Sequence, residues 1–150
     1  MSSKIDETDK TILEMLQEDS RTPFARIAEK LNVSEATVFM RVKKLLEKGI
    51  IKRLTALINP AMVGKEITAF VLINADPKRL PHVFEVLSKM DDIYEVYDVT
   101  GAYYVIAKIR TENSEKLTRI IDEIGFIDGV TSTETAITLR CIKEETRIKL

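Results

Sequence analysis

Between residues 34 and 48 the chain sets one hydroxyl and three cations at a repeating interval: Thr37, Arg41, Lys44 and Lys48, at offsets of 4, 7 and 11. At about 100° per residue these offsets stack the side chains on one side of a helix. Val38, Val42 and Leu45 fall on another side, which gives the same helix an apolar face to pack by. A helix held by one face and cationic on another can enter a DNA major groove, where residues near its start meet base edges. Arg41 has the fork that matches guanine O6 and N7, and Thr37 lies one turn nearer the helix start. Glu35, Ala36, Met40 and Lys43 share this candidate surface. Arg21, Thr22 and Ser34 can meet phosphates through their side chains and through helix N-terminal amides. The competing reading is a solvated stripe with ordinary caps, Lys48 serving the helix C-terminus.

Such a helix needs partners, and the first fifty residues supply them. Ile5, Ile12, Leu13 and Leu16 form one helical stripe. Thr22-Pro23 reads as a cap followed by proline at the first helical position, opening a short helix with Ile27, Ala28 and Leu31 inward. Asn32 tolerates the left-handed conformation needed for a tight turn, Ser34 caps the third helix, and Gly49 closes it. Helix, turn, helix is the expected order.

Charge follows the same division. The chain of 150 residues is near neutral, with 23 Lys plus Arg against 24 Asp plus Glu. Residues 21–53, however, hold nine cations against three acids, a net +6, while residues 1–20 are net −4 and residues 54–150 net −3. A basic block in a near-neutral chain draws phosphate backbones.

Past residue 50 the periodicity changes. Residues 51–58 read as a strand ending at Asn59-Pro60. Then follow strand 67–74, helix 80–90, strand 93–99, strand 103–110, helix 115–125 and strand 130–142, the βαββαβ order of a ferredoxin-like unit. The expected fold is therefore α+β: a three-helix helix-turn-helix domain (1–52), a strand and linker (53–65) and a ferredoxin-like βαββαβ domain (66–150). Residues 69–73 and 103–107 are apolar on both sides of their strands. Two helices cover one face of such a sheet, so a second copy of the domain is the simplest cover for the other.

Other chemistry finds little support. One histidine (His82, a surface residue) and one cysteine (Cys141, a small buried one) leave no zinc cluster, internal disulfide or Ser–His–Asp triad, and no enzyme is expected. The acidic pair Asp91-Asp92 sits at a turn. The polar opening, residues 1–10, and the absence of an apolar run near 20 residues suit a cytoplasmic protein. A single Gln amid plentiful Lys, Glu and Ile is the composition expected of a thermophile, an archaeal one in this reading.

The run Ile5-Asp6-Glu7-Thr8-Asp9-Lys10-Thr11-Ile12-Leu13, with Ser34-Glu35-Ala36-Thr37-Val38, Arg41-Val42-Lys43-Lys44-Leu45 and Gly49-Ile50-Ile51, resembles the Lrp/AsnC (feast/famine) transcriptional regulators. The likeness extends through Asn59-Pro60 and Gly64 over nearly the whole chain. It implies a homodimer built through the sheet, assembling to octamers, that binds double-stranded DNA, with an amino acid or related metabolite held between regulator domains. The effector pocket it implies comprises Tyr97, Thr100, Gly101, Ala102, Tyr103, Tyr104, Thr133 and Thr135, although Tyr97 and Tyr104 read first as interface aromatics. The family's Gly-Asp-Tyr-Asp loop is here Gly101-Ala102-Tyr103-Tyr104, without either carboxylate. A carboxylate is the natural partner of an effector's ammonium. Another group such as Glu95 or Asp98 does that work, the ligand differs, or there is none. Two other functions compete: an architectural protein wrapping DNA with little sequence preference, and a ligand-binding or enzymatic ferredoxin-like domain with an incidental helical head.

Overall fold

The computed structural model describes residues 5–150; the first four residues of the polar opening and of the 1–52 domain lie outside them. The described chain falls into two compact units, one of residues up to 57 with 143–150, the other of residues 58–142. The last eight residues thus lie with the helical unit and not with the sheet they follow in sequence.

The first unit contains α1 (Glu7–Glu18), α2 (Phe24–Leu31) and α3 (Glu35–Glu47). Its core is the set the helical spacing selects: Ile12, Leu13, Leu16, Ile27, Ala28, Val38, Val42 and Leu45, joined by Ile51, with Ile5 and Leu31 packed at the margin. Asn32 ends α2 with φ 53° and ψ 46°, and the Val33 N–H donates to the Ala28 carbonyl at 3.0 Å. Gly49, at φ 69°, ends α3: its N–H donates to Leu46 O, and Ile50 N–H reaches back to Leu45 O at 2.9 Å. This pair of reversed bonds is the Schellman pattern that a left-handed residue permits. Thr22 is not the cap of α2. Pro23 takes that position, and the Thr22 hydroxyl donates to Asp19 O at 2.7 Å, because the extended Pro23 backbone places its own carbonyl at the head of the helix.

The second unit is a sheet with two helices on one face: β1 (Ile67–Ala75), α4 (Leu80–Ser88), β2 (Ile93–Asp98), β3 (Val105–Thr111), α5 (Ser114–Gly125) and β4 (Val130–Ile137), preceded by a short 3₁₀ turn at Ala61–Val63. The strands are antiparallel in the order β2-β3-β1-β4. Alternate residues Ala69, Val71, Ile73, Val105, Ala107 and Ile109 are buried against Val83, Leu87, Leu117, Ile120 and Ile124 of the helices. No described helix is long and apolar enough to cross a membrane.

Three strand expectations change. Residues 51–58 join no strand among the described residues, and 52–59 are exposed, since a strand without a neighbour has no ladder to join. The last strand stops at Ile137, which lies opposite Ala69; one more bond, from Thr138 N–H to Thr68 O, brings the chain to within one residue of the start of β1 at Ile67. Cys141, beyond that end, is exposed and not buried. β3 starts at Val105, leaving Tyr103-Tyr104 in the hairpin loop.

Candidate nucleic-acid interface

The stripe on α3 begins at a cap. Ser34 Oγ accepts from Thr37 N–H at 3.1 Å and lies 2.8 Å from Thr37 Oγ1, so both hydroxyls are tied to the helix start. From there Ala36, Thr37, Met40, Lys43, Lys44 and Lys48 are exposed, while Val38, Val42 and Leu45 are buried. Met40 is 59% exposed, a large apolar side chain in the middle of a polar face. Lys43 lies 3.9 Å from Glu47, whereas the side chains of Lys44 and Lys48 make no ion pair or hydrogen bond among the described residues. Glu35 is exposed in the first turn, where a carboxylate is favoured by the helix dipole. Arg21, 89% exposed, leans on Asp19 at 3.4 Å. Seven of the residues singled out for DNA thus lie on or beside the solvent-facing side of α3, with Ser34 at its head and Arg21 and Thr22 before α2.

Arg41 is placed differently. Its Nη1 donates to Asp6 Oδ2 at 2.6 Å and to Asp9 Oδ1 at 2.9 Å. These two acids also cap α1: Asp6 Oδ1 accepts from Asp9 N–H at 2.7 Å, and Asp9 Oδ2 faces Asp6 N–H at 3.4 Å. The bond from Arg41, followed by that from Asp9 N–H, holds the Asp6 carboxyl below its ordinary range. Asp6 and then Asp9 in turn hold the Arg41 guanidinium more firmly protonated. Reading the sequence by helix stripes missed this cluster. The signal was present in Asp6-x-x-Asp9 at a helix start, a capping-box spacing with Asp in both places.

The residues expected to line an effector pocket do not converge within one chain. Tyr97 sits on edge strand β2 opposite Ile106, which pairs with Leu72, on the sheet face away from the helices. Thr133 and Thr135 sit on the other edge strand opposite Ile73 and Val71, on the helix-covered face. Thr100, Gly101 (φ 123°), Ala102, Tyr103 and Tyr104 form the β2–β3 loop, closed by Val99 N–H to Tyr104 O at 2.9 Å. The Tyr103 hydroxyl donates to the Glu134 carboxylate, a bond that raises the pKa of the phenol. Glu95 is occupied: Lys108 Nζ lies at 3.2 Å and the Tyr97 hydroxyl donates to it at 2.8 Å. No group of three potential metal ligands occurs among the described residues.

Comparison with known proteins agrees with both halves. A winged helix-turn-helix DNA-binding profile matches residues 5–52, and the Lrp/AsnC ligand binding domain matches residues 68–148. The HTH-type transcriptional regulator FL11 of Pyrococcus furiosus is 40% identical over 148 residues, covering 99% of this chain and 98% of that protein. FL11 of Pyrococcus abyssi is 39% identical over 150 residues, covering 100% and 99%. The structure of AsnC from E. coli superposes with a TM-score of 0.90 at 32% identity, over 96% of this chain and 98% of that one. The chain belongs to the Lrp/AsnC family of helix-turn-helix transcriptional regulators.

Proposed function

We propose that this chain is a sequence-specific DNA-binding regulator that lays α3 in the major groove, works as a homo-oligomer joined through its sheet, and takes a small effector at the regulator half. The observation that carries the DNA reading is the division of α3: one face buried, the other presenting Thr37, Met40, Lys44 and Lys48 outward. Thr37 and Met40 lie where base edges come within reach, the Met40 side chain suiting a thymine methyl and the two lysines suiting phosphates. The naming of its relatives as transcriptional regulators favours this over a DNA-wrapping protein without sequence preference.

Two helix-turn-helix units related by a two-fold axis would meet half-sites about one helical turn, or a multiple, apart. The ligand-binding profile over residues 68–148 supports an effector of amino-acid type, and larger assemblies of dimers would place its site between regulator halves. Tyr97 and Thr133, on opposite edges and faces of one sheet, suit a pocket completed by a neighbouring chain.

Fluorescence anisotropy on a labelled duplex tests the α3 assignment. Lys44→Ala should weaken binding several-fold and lower the slope of log affinity against log salt by about one. An unchanged slope and affinity would remove α3 from the DNA interface.

A further inference from the structure

Arg41, Asp6 and Asp9 form a mutually bonded set among the described residues. Both N–H groups of Nη1 are spent on the two carboxylates, and each acid gives one oxygen to Arg41 and turns the other towards the α1 cap. Nε and Nη2 make no hydrogen bond among the described residues, and the side chain is 34% exposed. The guanidinium is therefore oriented by one nitrogen while its remaining donors stay available. Asp9, 18% exposed, anchors it from beneath, and Asp6, 55% exposed, stands beside it. One cation against two acids leaves the trio with a net charge of −1.

We propose that Asp6 and Asp9 are specificity-determining positioning residues: they hold Arg41 for a neutral base edge and deny it to the phosphate backbone. This rests on the DNA-binding reading above. A guanidinium free on the surface pairs with any phosphate, which adds affinity without sequence information. Inside a trio of net −1 the same group meets phosphate with repulsion from its own partners. A neutral acceptor such as guanine O6 or N7 meets no such penalty and still finds oriented N–H donors. Asp6 and Asp9 thus act through Arg41, suppressing non-specific binding more than specific binding.

Asp6→Asn tests this, because Asn caps a helix as well as Asp: its one oxygen can keep the bond from Asp9 N–H, while the charge and the oxygen that accepts from Arg41 are both lost. The probes are a mixed-sequence duplex and a site selected by the wild-type protein from a random duplex library. Asp6→Asn should bind the mixed-sequence duplex about 3–10-fold more tightly at about 0.1 M salt, with a salt slope steeper by about one, and should lose discrimination between the two duplexes by a similar factor. The gain should vanish when Arg41→Gln is added, since it acts through the released guanidinium. Asp9→Asn serves as the second variant, with thermal unfolding confirming that each variant is folded. An unchanged slope in folded variants, or a gain that survives Arg41→Gln, overturns the proposal while leaving DNA binding intact. A wild-type protein without salt-dependent duplex binding would defeat the underlying reading and this inference together.

Discussion

Four charged side chains close a ring ahead of β1. Lys65 Nζ lies 2.9 Å from Asp92 and 2.7 Å from Glu112, and Lys116 Nζ lies 3.1 and 3.0 Å from the same two acids. Isolated surface pairs contribute little, but here each charge serves two partners. Bonds from Lys65 and then Lys116 lower the Glu112 carboxyl from an ordinary 4.5 to about 2, and bonds from Glu112 and then Asp92 raise the Lys65 ammonium. A lowered carboxyl stabilises the fold fully above its unfolded pKa and loses that contribution as pH falls through the folded one. A raised ammonium contributes below its unfolded pKa and fades as pH rises through the folded one. Glu112→Gln should therefore lower Tm near neutral pH, by a margin that shrinks below about pH 4.5 and closes near pH 2. Thermal scans across that range check it, and a margin independent of pH would deny the ring its role.

Among elements, the turn between α5 and β4 depends on a missing side chain. Gly129 has φ 101°, and a Cβ there would stand 2.3 Å from Arg79 Cβ at the head of α4. Its carbonyl accepts from Asp76 N–H at 2.8 Å, and Arg79 pairs with Asp128 at 3.3 Å, so the turn is pinned to the β1–α4 junction. Gly64 also has positive φ (86°) but open space around it. Gly129→Ala should destabilise by about 3 kcal/mol, from backbone strain plus overpacking, and Gly64→Ala by about 1 kcal/mol, from strain alone. Urea unfolding of the two variants measures the difference; equal losses would mean that the close approach relaxes freely.

For the whole molecule the open sheet face is the surface on which the proposed association rests. Phe70, Leu72 and Ile106 lie there, with Phe70 36% exposed and Tyr97 51% exposed. The face is less apolar than its strands suggest: Lys108 lies 5.9 Å from the Phe70 ring centre and Arg110 5.5 Å from that of Tyr94. The charged heads themselves stand over the rings, and Lys108, 13% exposed, is also paired with Glu95 at 3.2 Å, so the aromatic area is interrupted by partnered charge. A mixed surface of this kind suits an interface with paired charges at its margin. Sedimentation should find the wild type associated at micromolar concentration, and Phe70→Glu should shift it towards the protomer. A wild type that sediments as a single chain would leave the two-fold DNA reading without its basis.

Periodicity alone located the buried faces of all three N-terminal helices, because the residues that make a helix amphipathic are neighbours along the chain and need no distant information. Asn32, Ser34 and Gly49 were equally legible, since caps and left-handed turns are local chemistry. Strand extents were less so. Residues 51–58 and 138–142 have strand-like composition, but a ladder depends on whether another segment lies alongside. The pairing of Arg41 with Asp6 and Asp9, 35 and 32 residues away, was out of reach for the same reason. So was the division of Tyr97 and Thr133 between opposite faces of the sheet. Residue type states what a side chain is able to do; packing of α1 against α3, and the register of four strands, choose the partner it does it with.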